Sequence, residues 1–146
     1  MASDCIFCKI ARGEIPSHKI HDDANTFAFL DIKPLAHGHA LVIPKNHFTR
    51  IEDMPPEEAA DLMRAVRSVT PAVCAAVKAP ASTIAINNGK EGGQEVPHVH
   101  VHIVPRWEGD NYGPIHALFR SHKPVPTDDL PKLAEQMRKS ATISAR

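Results

Sequence analysis

The 146-residue sequence predicts an α+β fold, an antiparallel sheet carrying one long helix. Three observations carry that expectation. Short runs rich in β-branched and apolar residues follow one another across hairpin-length turns. One segment, Glu57 to Ala79, repeats apolar residues at the three- and four-residue steps of a buried helix face. Strands and helix do not alternate in the way that builds a parallel α/β sheet.

The elements follow in order. Cys5 to Ala11 suits one helical turn, ended by Gly13 and Pro16. His18 to Asp22 and Thr26 to Ile32 read as two strands around a turn at Asp23-Ala24-Asn25. Pro34 to Gly38 breaks the chain. His39 to Lys45 is the next strand, and Pro44 predicts that it ends at or near a sheet edge. In the long helix, Glu57, Glu58 and Asp61 suit the positive N-terminal end of the dipole. Leu62, Val66, Val69, Val73 and Val77 form its buried stripe, and Pro71 inside that stripe predicts a kink. Ser82 to Asn87 is a strand, Asn88 to Gln94 a glycine-rich loop, and Val99 to Arg106 the last clear strand. Beyond Trp107 the chain turns loop-like, with a short helix expected around Asp129 to Lys139 and a disordered tail after Ser140.

Length and composition bound the function. A chain of this size fits one domain, 1–146, with residues 107–146 as a C-terminal extension. Formal net charge is zero, so no broad basic surface for nucleic acid is implied. No run of about 18 apolar residues is present, so no membrane span is expected. The first residues, MASDCIFCKIARGEIP, lack the apolar core of a signal peptide, and a cytoplasmic chain is expected. Cys5, Cys8 and Cys74 are then poor candidates for a structural disulfide. Cys74, in an Ala/Val-rich helical stretch, reads as a small core residue. Histidine is the anomaly: of 10, 8 fall in residues 18–47 and 98–102, a clustering that suggests metal binding or acid–base chemistry.

The second cluster is the alternating run His98-Val99-His100-Val101-His102. On a strand these histidines share one face, about 6.6–6.8 Å apart, while Val99, Val101 and Ile103 face the core. A rigid strand is what a catalytic side chain needs. A neutral imidazole is a good nucleophile toward phosphorus, provided its second nitrogen is protonated and held by an acceptor. The glycines at 89, 92 and 93 let backbone N–H groups approach an anion. Two other readings stay open: a solvent-facing row on an ordinary amphipathic strand, and one metal ion held by all three histidines. A straight row converges poorly on a single ion.

HVHVHIV matches the pattern His-x-His-x-His followed by two apolar residues, and CIFCKIARGEIP, FLDIKP, HGHALVIPKNH and INNGKEGGQEVPHVHVHIVPRW extend the match along nearly the whole chain. The sequence resembles the histidine triad (HIT) nucleotide-binding proteins, closest to their Hint-like branch. That resemblance implies an α+β HIT-like fold and a homodimer whose sheets join across the interface. It implies a hydrolase or transferase acting at the α-phosphate of a purine nucleotide, with an AMP-like ligand and a nucleotidyl-histidine intermediate. By position, His100 is the nucleophile, with His102 and His39 hydrogen bonding in the phosphate site. Asp31 would accept from the ribose hydroxyls. Asn87, Gly93, Gln94 and Glu95 would meet the phosphate or leaving group, and Phe7, Phe29 and Ile32 would wall the base. Core packing for the three apolar residues, and a turn carboxylate for Asp31, are the plain alternatives.

One position departs from the pattern. Many Hint-type enzymes carry a serine after the loop glutamine, where this chain has Glu95. A carboxylate there delivers a proton only when its own pKa is raised, and when ionised it repels phosphate. Dinucleoside polyphosphate hydrolysis therefore stays open beside phosphoramidate cleavage, as does a nucleotide-binding interaction module with little catalysis.

Cys5-x-x-Cys8 has zinc-ligand spacing but needs two more ligands. A microbial subset of HIT proteins completes such a pair with the histidine of PKNH and the first triad histidine, here His47 and His98. The resemblance thus implies a closed structural Zn2+ site tying residues 1–14 to the catalytic strand. Two small buried cysteines on one helical turn are the bland alternative.

Overall fold

The computed structural model describes residues 4–119, 121 and 125–141. Two compact units are resolved, one running to Tyr112 and one from Gly113 onward. The first contains α1 (Ile6–Ala11), β1 (Lys19–Asp22), β2 (Thr26–Leu30), β3 (Ala40–Pro44), α2 (Pro56–Ala76), β4 (Ala81–Ala85) and β5 (Val101–Arg106). The second contains a short 3-10 turn, Ile115–Phe119, and α3 (Leu130–Ser140). Past Ala141 the expected tail lies outside the described residues.

The five strands form one antiparallel sheet in the order β1-β2-β3-β5-β4. Side-chain alternation splits its residues between two cores. On one face Ala28, Ala40, Val42, Val99, Val101 and Ile103 pack against α2 through Leu62, Ala65, Val66, Val69 and Val73. On the other, Phe27, Phe29, Leu41 and Ile43 pack against Phe7 and Ile10 of α1. The α+β expectation holds, and so does the helix stripe from Leu62 to Val73; Val77 falls just past the end of α2 and is half-buried.

Pro44 overturns one expectation. It sits in β3, the central strand, not at an edge. The register explains why this is tolerated: β3 pairs with β5 only from Ala40 to Val42, so that ladder has ended before proline's missing N–H is needed. Pro71 does not end α2, which runs unbroken from Pro56 to Ala76. The helix stops short of Ala79 because Lys78 turns to φ 55. Cys74 is half-buried and outside both core clusters. Trp107 to Tyr112 stay with the first unit through Asp110, whose carboxylate takes bonds from Arg106 Nε at 2.7 Å and from the Trp107 and Tyr112 N–H groups.

The two free edges differ. β1 carries Lys19 and Asp22 and is interrupted by a bulge, devices that blunt an edge against further pairing. β4 presents Ile84, 46% exposed, and the short uncharged run Ala81–Ala85.

Candidate active site and metal centre

His98 and His100 lie on the bend and short segment that lead into β5, and His102 lies within it. With Val99, Val101 and Ile103 committed to the α2 side, the three imidazoles turn toward α1. His98 and His100 do not face solvent, and His102 is half-buried. His98 is fully buried, His100 nearly so, and the Phe7 ring stands edge-on to both at 6.0 and 5.1 Å. Nor do they converge on one point, because each ring has a different set of partners.

His100 Nδ1–H donates to the His98 carbonyl at 2.7 Å. This fixes the tautomer and leaves the Nε2 lone pair free. A second chain of bonds orders the neighbouring rings. The Leu35 N–H donates to His39 Nδ1 at 3.1 Å, so His39 carries its proton on Nε2 and donates it to His102 Nδ1 at 2.9 Å. His102 therefore carries its own proton on Nε2. That atom is buried and has no hydrogen-bond partner among the described residues. The His100 and His102 rings are 4.9 Å apart. The result is a nucleophilic nitrogen beside a buried, unanswered N–H donor, the pair that attack at phosphorus and stabilisation of its oxygens require.

Burial holds His39 below the ordinary histidine range, against the pull of Asp31 at 3.8 Å. Burial, then the nearby His100 and His39, push His102 down to about 4. The relay needs the neutral form, since a proton on His102 Nδ1 would face the His39 Nε2–H. The unfolded chain takes up protons at these rings from about pH 6.5 downward, whereas the folded His102 waits until about 4. Between those values the unfolded state binds more protons, so stability falls as pH falls. Asp23 and Asp110, held well below the usual carboxylate range, remain ionised over most of that interval. The urea midpoint should decline steadily from pH 6.5 to 4.5; a constant midpoint would contradict the neutral relay.

Four ligand atoms meet on the far side of His98. Cys5 Sγ and Cys8 Sγ each lie 3.5 Å from His98 Nδ1, and Cys8 Sγ lies 3.4 Å from His47 Nδ1. All four donor atoms fall within 4.8 Å of one another. Zinc bonded tetrahedrally to sulfur and nitrogen would place them about 3.6 Å apart, so this donor set fits the ion. The orienting bond is present too. His98 Nε2–H donates to the Pro44 carbonyl at 2.9 Å, aiming the Nδ1 lone pair at the sulfurs. Burial, followed by the adjacent Cys5, raises the Cys8 thiol to about 11, so loading a metal must release its proton.

The other expected residues are placed as follows. Asp31 is half-buried and accepts the Lys33 N–H at 2.8 Å, holding its own turn. Phe7 and Phe29 stack edge-on at 5.6 Å within the core, while Ile32 is 80% exposed. Gln94 has both ends of its amide engaged, accepting from the Gly89 N–H and donating to the Thr49 carbonyl at 2.8 Å each. Gly92, Gly93 and Gln94 direct their N–H groups at carbonyls within the loop. The glycines thus serve a tight turn, with φ +94 at Gly89 and +90 at Gly93, and their N–H groups do not form an open anion cradle. Asn87 is half-buried beside Gly93, and Glu95 is exposed on a cleft of about 480 Å³ shared with Cys5, His47 and Thr49. Leu35 and Pro44 escape sequence reasoning because they act through backbone atoms, which residue identity does not advertise. Among the described residues no helix is long and apolar enough to cross a membrane.

Comparison with known proteins agrees with this geometry. The HIT domain family model matches residues 12–109. Adenosine 5'-monophosphoramidase of Schizosaccharomyces pombe is 38% identical over 134 residues, covering 91% of this chain and 95% of that protein. A HIT family protein from Bacillus anthracis superposes with a TM-score of 0.85 at 35% identity, over 97% of this chain and 100% of the other. A zinc-bound histidine triad family protein from Mycobacterium smegmatis does so with a TM-score of 0.72 at 33% identity, over 97% and 100%.

Proposed function

The chain belongs to the HIT domain family, and from that premise we propose that it is an AMP-releasing hydrolase or transferase of the nucleoside phosphoramidate type. The observation that carries the reading is the His100 tautomer. Its Nδ1–H is tied to the His98 carbonyl, and its Nε2 stands free beside the orphaned His102 N–H. In the reaction, His100 Nε2 forms a bond to the α-phosphorus as the bond from phosphorus to the leaving nitrogen breaks, the amine departing with the electron pair and a proton taken from solvent. The imidazolium that results keeps its Nδ1–H on the His98 carbonyl. Water then attacks phosphorus and gives up a proton to solvent as the N–P bond breaks, its electron pair returning to Nε2, and neutral His100 is restored. His102 Nε2–H, ordered by His39, donates to the phosphoryl oxygens, where charge builds in both steps.

The amine leaving group is supported by the Schizosaccharomyces pombe relative, an adenosine 5'-monophosphoramidase. Asp31, Phe7, Phe29 and Ile32 are assigned to the ribose and purine side of the site, and Asn87 and Glu95 to the leaving-group side, which Gly93 and Gln94 shape through their bonds within the loop and to Thr49. Cys5, Cys8, His47 and His98 would hold a zinc ion that crosslinks α1 to the approach of β5. Pairing of two copies along β4, which light scattering would report as a doubled mass, belongs to the same reading.

Incubation with a fluorogenic AMP phosphoramidate tests it, with diadenosine tetraphosphate alongside. Release of AMP from the phosphoramidate is expected. Cleavage of the dinucleotide alone would replace the phosphoramidate assignment, and turnover of neither would overturn the enzyme reading.

A further inference from the structure

The glycine-rich loop is fastened by side chains that the reaction above does not use. Asn88 bridges two elements: its Oδ1 accepts the Ile51 N–H at 2.9 Å, and its Nδ2 donates to Glu52 Oε2 at 2.7 Å. The other oxygen of Glu52 accepts from Arg50 Nε. Asp53 Oδ2 accepts the Arg50 N–H at 3.1 Å and holds the start of this short 3-10 turn. The Arg50 guanidinium lies over Gly89, so close that a Cβ there would stand 2.9 Å from Nη1. Gln94 closes the circuit between Gly89 and Thr49. Glu52 thus joins a donor on its own segment to a donor on the loop. Its carboxyl is held down to about 2, first by the Asn88 amide, so both oxygens remain acceptors throughout the neutral range.

This circuit lies at both ends of the loop. Asn88 follows Asn87, whose amide packs beside Gly93. Gln94 is four residues before His98, whose carbonyl sets the His100 tautomer. We propose that Glu52 is a positioning residue, latching the glycine-rich loop to residues 49–53 through Arg50 and Asn88, and that this latch sets kcat. The proposal rests on the hydrolase reading for its activity arm. A displacement of the loop by about an ångström would move Asn87 and the approach to His100 away from the reacting atoms, and misplacements of that order cost rate while leaving the fold intact.

A donor–acceptor swap tests the latch. Asn88→Asp keeps the acceptor for the Ile51 N–H but sets a carboxylate against Glu52. Glu52→Gln alone keeps one contact at the expense of the other. Together they restore both, since the amide nitrogen introduced at position 52 would donate to the carboxylate introduced at position 88, while the amide oxygen accepts from Arg50. For AMP phosphoramidate, Asn88→Asp should lower kcat roughly tenfold with KM little changed, and should speed amide exchange at Gly89. The double variant should return both toward wild type, the signature of direct coupling. Unchanged kcat and exchange in Asn88→Asp, or a double variant no better than that single, would overturn the latch. If the wild type turns over no phosphoramidate, the hydrolase reading falls, and the exchange pattern alone upholds or overturns the loop closure.

Discussion

His100→Ala is expected to lower kcat for AMP phosphoramidate by at least about 10³-fold, equivalent to about 4 kcal/mol of barrier. The reason lies in the bonds around the ring. Its Nδ1–H is committed to the His98 carbonyl, so Nε2 is its one nucleophilic nitrogen. No neighbouring ring can substitute. His98 Nε2 is held by the Pro44 carbonyl, its Nδ1 faces the cysteine sulfurs, and His39 and His102 bond to each other. Because His100 packs against Phe7, alanine also leaves a cavity. His100→Asn controls for that, since its side-chain amide can still donate toward the His98 carbonyl while offering no nucleophilic ring nitrogen. It should be as inactive as the alanine variant while melting close to wild type. Turnover within tenfold of wild type by the asparagine variant would remove His100 from the role of nucleophile.

Under the proposed zinc site, removal of the ion should be the largest effect on stability. Cys8 is 3% exposed and sits between His47 and His98, so Cys8→Ser removes the central donor of a half-buried set. A cost of about 3–5 kcal/mol is expected, a fall in Tm on the order of 10–20 °C. Chelation of the wild type should produce a fall of the same order. It should also slow turnover, because the residue whose ring the metal would hold is the residue whose carbonyl orients His100. Elemental analysis before and after chelation, paired with melting curves, provides the check. Protein stripped of zinc with an unchanged Tm would show that the four side chains stabilise each other without an ion.

Much of this was legible in the residues. The alternation at 98–102 specified one side for the three histidines, a period of two that the chain keeps on the approach to β5 as well as within it. The stripe of α2 was equally plain, because each of Leu62, Val66, Val69 and Val73 is buried at its expected step. Pro44 misled because proline bars a ladder bond at its own position, while strand order is set by the length of the neighbouring register. The glycine loop misled for a related reason. Glycine announces backbone freedom, and here that freedom closes a turn in place of cradling an anion. The Leu35 and Pro44 backbone atoms that fix two histidine tautomers carry no side-chain signature. Their roles follow only from where the chain brings them.

The central claim is a covalent bond between His100 and the nucleotide. It is tested most directly by acid-quenching the enzyme during turnover of AMP phosphoramidate, digesting it and mapping the adduct by mass spectrometry under conditions that preserve the N–P bond. The account predicts one adenylyl group on the peptide containing His100, absent from His100→Asn. Steady turnover with no adduct at any quench time, or an adduct on another residue, would contradict it.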